Sequence, residues 1–380
     1  MAFLNSTKAI IAHSPKNGEI DWKLSSVKLR DVGENEVLVR VVASGVCHSD
    51  IHLSLLPPEH ARYPTVLGHE GAGVVVKVGG GVTHVKPEDK VLLSFDYCGE
   101  ESCYNCEAET PGYCPKFAEK NLATTEGLYE FDGDRTAAGG FFGQSSFGGL
   151  AIAQRKSVIN VEDLVKDEEE LKLFAPFGCG IQTGAGSVTE LADVSSKDAV
   201  VVVGIGGVGM GAVMAANIRG ARTIIAIDRV QSRLDTAKAI GATHTINTTS
   251  FVDLKADIAK AIQDVEPEGP NVVVDTTGVV PIVETSFEVL HQRGQLVLIG
   301  IMAGKTLPLD LTTLLGSGKS IRGCIEGSAK PSKYIPQLIK WHREGKLPIE
   351  KLVKSYPVHE FKQAVEDMLD GTTIKPVLVW

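Results

Sequence analysis

Apolar positions are distributed differently in the two halves of the chain. Before about residue 160 they fall into short runs rich in valine and isoleucine, KAIIAH (8–13), EVLVRVVASGV (36–46), AGVVVKVG (72–79) and DKVLLSF (89–95), each ended by glycine, proline or a polar cluster. Runs of that length and composition read as β-strands, and their succession predicts a partly antiparallel, barrel-like domain whose loops carry the chemistry. From about residue 198 the pattern changes to DAVVVVGIGGVGMGAVMAANIRGARTIIAIDR, an apolar strand, a glycine turn, a helix of small residues and a second strand. That is a βαβ unit. NVVVDTTG and QLVLIGI come after it, separated by segments of helical length such as PIVETSFEVLHQRG, so a parallel, doubly wound sheet is predicted to about residue 323. The last 55 or so residues, including PSKYIPQLIKWHREGKL and KPVLVW, leave this alternation and are expected to return to the first domain. The glycine-rich TAAGGFFGQSSFGGL (136–150) is too short and too apolar for a linker, and reads as a loop and strand lining a cleft.

Composition narrows the class. With 380 residues, 43% of them hydrophobic, the chain has apolar material for two domains of ordinary size. Forty glycines with only 6% aromatics suit an α/β protein with many tight turns. The net charge of −9 is spread without long like-charge blocks, and the acidic run KDEEE (166–170) reads as a solvated helix face, so no nucleic-acid partner is expected. The N-terminus shows no basic segment followed by an apolar one, and no stretch approaches eighteen apolar residues, which predicts no membrane association. A soluble, cytoplasmic protein is expected.

Six of the seven cysteines divide into two candidate zinc sites. Cys98, Cys103, Cys106 and Cys114 crowd into YCGEESCYNCEAETPGYC, close enough for four thiolates to share one structural ion. Cys47 in GVCHSDIH and Cys179 in PFGCGIQTGAG flank His69 in LGHEGAG, and two thiolates with one imidazole leave the fourth position of a tetrahedral zinc open. Singly, each of these three reads as a buried cysteine or a locally packed histidine. Together they gain weight from neighbours: Asp50 can orient the His69 imidazole, Glu70 follows it, and Ser49 and His52 can pass a proton to solvent. Thiolates used for metal also favour a reducing compartment. Cys324 has no partner and reads as a buried thiol.

GIGGVG places Gly204, Gly206 and Gly209 in the spacing G-x-G-x-x-G, with Gly207 and Val208 at the helix start. The motif alone is a weak signal in a glycine-rich chain. Here it follows an apolar strand, opens a helix and precedes Asp228 by nineteen residues counted from Gly209, which is the context a dinucleotide needs. Gly204 permits the turn, Gly206 lets backbone approach a pyrophosphate, and Gly209 lets helix and strand pack closely. Asp228 can accept from both ribose hydroxyls and repels a 2′-phosphate, favouring NAD, while Arg229 beside it keeps NADP open.

The combination of GVCHSDIH, LGHEGAGVV, the four-cysteine lobe, GIGGVG and Asp228 resembles the zinc-containing medium-chain alcohol dehydrogenases over essentially the full chain. FGCGIQTGAG and IRGCIEGSAKPSKYIPQLI are most similar to the aryl, or benzyl, alcohol dehydrogenase branch. The resemblance implies an α/β protein with a GroES-like, partly antiparallel β-barrel catalytic domain (1–180 and 324–380) and a doubly wound parallel Rossmann domain (181–323). It implies Cys47, His69 and Cys179 as ligands of a catalytic zinc, Glu70 as the glutamate near them, and Ser49 and His52 as a proton relay. It also implies His48 and Lys375 beside the pyrophosphate, Arg233 at the adenosine ribose, Thr183 near the nicotinamide, two zinc ions per chain, and a homodimer or homotetramer. The family lobe has two residues between its first and second cysteines, whereas four separate Cys98 from Cys103 here.

The chemistry implied by such a chain is interconversion of a primary alcohol and its aldehyde with NAD. Zinc held by two thiolates lowers the pKa of an alcohol hydroxyl, and hydride leaves for the nicotinamide. Alignment to the family puts Ser94, Phe141, Phe142, Ile301 and Ile325 around the substrate, an apolar channel with two aromatic walls suited to aryl or bulky hydrophobic alcohols. The same phenylalanines read equally well as domain core, and Ser94 or Gln144 can serve an oxygenated aldehyde. Two other readings are a medium-chain reductase of a natural-product aldehyde or conjugated carbonyl, and a noncatalytic NAD-binding protein of the same fold. The intact ligand set and relay count against the reductase, which needs no zinc.

Overall fold

The computed structural model describes residues 5–380. The chain divides into two units, one running to Cys179 and including Lys330–Lys340 and Leu352–Trp380, the other formed by Gly180–Ala329 and Trp341–Lys351.

In the first unit the strands Ser6–Lys16, Glu19–Leu29, Thr125–Phe131, Arg135–Gly139 and Thr65–Val66 close into a barrel. Glu19–Leu29 carries Trp22, Val27 and Leu29 inward among polar residues. Its sparse alternation is a weak strand signal, and the strand forms because Ser6–Lys16 offers it an antiparallel edge. A second sheet is built around Glu36–Gly45, which pairs with Gly71–Val78, Leu150–Gln154 and the chain's last strand, Lys375–Val379. Val37, Leu38 and Val39 are all buried, as a central strand covered on both faces requires. KDEEE opens the helix Glu168–Phe174: Asp167 is its N-cap, accepting from Glu170 N at 3.1 Å, and three glutamates fill the first turn. Their charges sit where the helix dipole favours anions.

In the second unit six strands form a parallel sheet. Counted along the chain from Ala199–Val203, their order is 3-2-1-4-5-6, the doubly wound arrangement. The AVVVV strand is buried throughout, and the sheet ends with Ser320–Gly323. The two compact units divide the C-terminal part differently from the expected domain bounds: Cys324–Ala329 and Trp341–Lys351 fall in the second unit. Leu347 and Ile349 there are fully buried in a segment without a strand, and such packing leaves no periodic signature to read.

Candidate active site

Cys47 precedes the helix His48–Ser54, and this short helix sets up a candidate metal-ligand cluster. Asp50, fully buried, accepts from Cys47 N, Gly68 N and His69 Nδ1, each at 3.0 Å. With Nδ1–H committed to Asp50, the Nε2 lone pair of His69 is the one left for a metal. That nitrogen is buried and has no hydrogen-bond partner. One ligand atom from each of Cys47, His69, Glu70 and Cys179 lies within 4.8 Å of the others. A buried, unpartnered imidazole nitrogen beside two thiols fits zinc's preference for nitrogen and sulfur. The Cys179 thiol, working against burial, holds Cys47 well below the usual thiol range, and Lys375 and His69 add to the effect. The thiolate form, which a metal requires, is thereby favoured. For His69, burial lowers the pKa but Asp50 outweighs it, leaving the group well above its ordinary value.

Glu70 is paired with Lys375, Nζ to Oε1 at 2.6 Å, and Lys375 also donates to Val46 O at 3.1 Å. Burial by itself lowers the lysine; the nearby Glu70 and Cys47 charges outweigh it and hold the ammonium above its usual range. Desolvation leaves Glu70 above the usual carboxylate range. A Cβ at Gly45 would stand 2.0 Å from Glu70 Oε2, so a larger residue there would have to displace the Glu70 carboxylate from its place beside Lys375, a constraint the sequence did not disclose. Ser49 Oγ lies 3.9 Å from Cys47 Sγ. His52 follows one helical turn later and is exposed, as is His48 at the helix start.

Phe141 and Phe142 both pack on His69, with ring centroids 5.3 and 4.7 Å from the imidazole, and both are buried. Phe117 meets Phe142 edge-on at 6.0 Å, a neighbour that sequence reading missed because it lies beyond the cysteine lobe. Ser94 Oγ donates to Gly178 O at 2.6 Å, and the Gln144 amide bonds three main-chain groups. Ile301 and Ile325 lie in the second unit, 56% and 40% exposed.

The four-cysteine lobe gathers one sulfur from each of Cys98, Cys103, Cys106 and Cys114 within 4.8 Å. Cys98 and Cys106 Sγ are 3.6 Å apart, close to the edge of about 3.8 Å in a tetrahedron with zinc–sulfur bonds of about 2.3 Å. The longer Cys98–Cys103 spacing is absorbed by a turn in which Gly99 takes φ +61° and Cys103 N bonds Glu100 O at 3.0 Å. A backbone bond from Cys106 pulls Cys103 down to about 7, whereas burial pushes Cys106 up to about 12.

In the second unit each fingerprint glycine has a geometric reason. Gly204 takes φ +86°, and a Cβ there would lie 2.4 Å from Thr276 Oγ1; at Gly209 it would lie 2.0 Å from Gly204 O. Gly206 differs. It caps the helix Gly207–Ile218, and a Cβ on it would meet nothing within 4 Å. Open space in front of a glycine at a helix N-terminus, with the N–H groups of Gly207 and Val208 beside it, fits a pyrophosphate. Asp228 ends the next strand, accepting from Ile205 N at 2.6 Å and Val230 N at 2.9 Å. Arg233 lies on the following helix, Gln231–Ala239. Thr183 is buried in the helix Gly180–Gly186, which packs closely on the fingerprint helix: a Cβ at Gly184 would lie 1.9 Å from Val208 O.

Comparison with known proteins assigns the class. Residues 33–163 match the alcohol dehydrogenase GroES-like domain and residues 207–344 the zinc-binding dehydrogenase domain. The geraniol dehydrogenase of Castellaniella defragrans is 33% identical over 354 residues, 91% of each chain. Among solved structures, an alcohol dehydrogenase zinc-binding domain protein from Burkholderia ambifaria superposes with TM-score 0.91 at 36% identity, covering 98% of each chain. Benzyl alcohol dehydrogenase from Acinetobacter calcoaceticus does so with TM-score 0.88 at 36% identity over 99% of each. The chain belongs to the zinc-containing medium-chain alcohol dehydrogenases, and is an oxidoreductase of that family.

Proposed function

We propose that this enzyme interconverts aryl or other bulky hydrophobic primary alcohols with their aldehydes, using NAD and a zinc ion held by Cys47, His69 and Cys179. The observation that carries the substrate class is the pair of phenylalanine rings against His69, which puts apolar aromatic surface beside the metal ligands. Relatives named for geraniol and benzyl alcohol support the same class. When bound, zinc supplies Lewis acidity towards the substrate oxygen and NAD accepts the hydride. Asp50 fixes the His69 tautomer and Cys47 backbone. Ser49, beside Cys47, relays the hydroxyl proton, accepting it as it hands its own on towards exposed His52, which releases a proton to solvent.

The four-cysteine lobe takes a second, structural zinc, giving two ions per chain. The enzyme works in the cytoplasm as a homo-oligomer. Ser320–Gly323 is an edge strand of the parallel sheet, and Leu311 and Leu315, one turn apart on the preceding helix, are 72% and 85% exposed. An exposed edge beside exposed leucines is a surface that a second copy covers.

Steady-state turnover followed at the NADH absorbance tests the substrate class. An aromatic ring buries apolar area worth roughly 25 cal/mol per Å², which ethanol is too small to match, so kcat/KM for benzyl alcohol is expected to exceed that for ethanol. Equal kcat/KM for the two, or an equal loss for both in Phe142→Ala, would overturn the aromatic reading.

A further inference from the structure

Gln144 occupies a turn in which Gly140, Phe142, Gly143 and Ser145 have φ of +82°, +51°, +66° and +53°. Non-glycine residues seldom adopt that region, so the turn persists because its surroundings hold it. The fully buried Gln144 amide contributes by bonding three segments: Oε1 accepts from Gly71 N at 3.1 Å, and Nε2 donates to His69 O and to Ser94 O, each at 3.0 Å. One donor and two acceptors match the amide in only one orientation. Ser94, also fully buried, extends the connection by donating to Gly178 O at 2.6 Å, the carbonyl immediately before Cys179. Gly178 is pressed so closely on the end of the strand Lys90–Leu93 that a Cβ would lie 2.1 Å from Leu93 O. A continuous buried path therefore joins the main chain of His69 to that of Cys179. Asp50 takes no part in it; that carboxylate holds the His69 ring and Cys47 from the other side.

We propose that Gln144 and Ser94 are positioning residues for the catalytic zinc, setting the separation of His69 and Cys179 before the metal arrives. The proposal rests on the reading of Cys47, His69 and Cys179 as ligands. Their hydrogen bonds act on main chain, so neither side chain needs to touch metal or substrate. A site whose ligands are held at the metal's distance loses less freedom on binding, and partners behind the ligands typically change metal affinity about 10–100-fold.

The test compares Gln144→Met, Ser94→Ala and the double variant with the unmodified enzyme. Zinc retention is measured against a graded series of chelators, with the four-cysteine lobe as internal reference, and the absorption bands of cobalt(II) exchanged into the Cys47 site are recorded. Each single variant is expected to lose the catalytic metal at about 10–100-fold weaker chelation and to shift the cobalt bands, while the lobe keeps its zinc. The double variant is expected to lose little more than either single one, because both cut the same path. Unchanged retention and cobalt bands, fully additive losses, or loss of both metals in step with melting temperature would overturn the proposal. If Gln144→Met does not fold, Ser94→Ala decides alone by the same readings. Full zinc content in Cys179→Ser would sink the ligand reading itself, an outcome distinguishable from failure of the positioning proposal.

Discussion

Asp228 keeps acceptor capacity in hand. Its two carboxylate oxygens take one backbone N–H each, from Ile205 and Val230, out of about four lone-pair sites. The remaining sites can receive both ribose hydroxyls, while the fixed negative charge repels a 2′-phosphate. Asp228→Gly is therefore expected to weaken NAD about 10- to 100-fold, the equivalent of roughly 1.5–3 kcal/mol for bonds to a charged acceptor, and to improve NADP relative to NAD. Fluorescence titration of both cofactors checks this; an unmodified enzyme that binds the two equally would remove the role assigned to Asp228. Residues of this kind were legible because their spacing encodes backbone geometry, as the crowding around Gly204 and Gly209 shows. Ser94 and Gln144 were not. Their partners are main-chain groups from segments distant in sequence, and no periodicity or motif records which carbonyl a buried amide will meet.

The cysteine lobe shows what an element can tolerate. Two extra residues between Cys98 and Cys103 enlarge a turn without moving the sulfurs out of reach of one another. Lys330 and Lys333 close on Glu109 of the same lobe from the helix end at 330–333, so the lobe is also tethered by charge. These partners are exposed, and such pairs contribute little. A zinc ion bound there would therefore be the main source of order in the lobe. Cys103→Ser is expected to lower metal content from about two zinc ions per chain to about one and to reduce the melting temperature by on the order of 5–10 °C, at about 2–4 °C per kcal/mol lost. Metal analysis with calorimetry checks both; undiminished zinc and melting would mean that the lobe is not a zinc site. The strands KAIIAH and DKVLLSF were readable from their valine and isoleucine runs, whereas Glu19–Leu29 was not, since its pairing partner supplies what its own pattern lacks.

At the scale of the molecule, the division into a barrel-bearing unit and a parallel-sheet unit followed from the change of hydrophobic period near residue 198, because antiparallel and βαβ packing demand different patterns. The assignment of Trp341–Lys351 was beyond reach of that argument. The proposed self-association is also missing from the period, and what supports it is a surface. Leu311 and Leu315 stand out from a helix that precedes an edge strand whose Arg322 and Gly323 are exposed, and covering two leucines removes apolar area worth about 1.5–3 kcal/mol each when burial is complete. Sedimentation of the unmodified enzyme is accordingly expected to give a multiple of the 40.5 kDa chain mass. Replacing both leucines by lysine should shift the distribution towards 40.5 kDa, because paired like charges would face each other across a symmetric interface. Zinc content should stay unchanged, since neither leucine belongs to a metal cluster. A single 40.5 kDa species in the unmodified enzyme would refute self-association, and an unaltered oligomer in the double lysine variant would place the interface elsewhere.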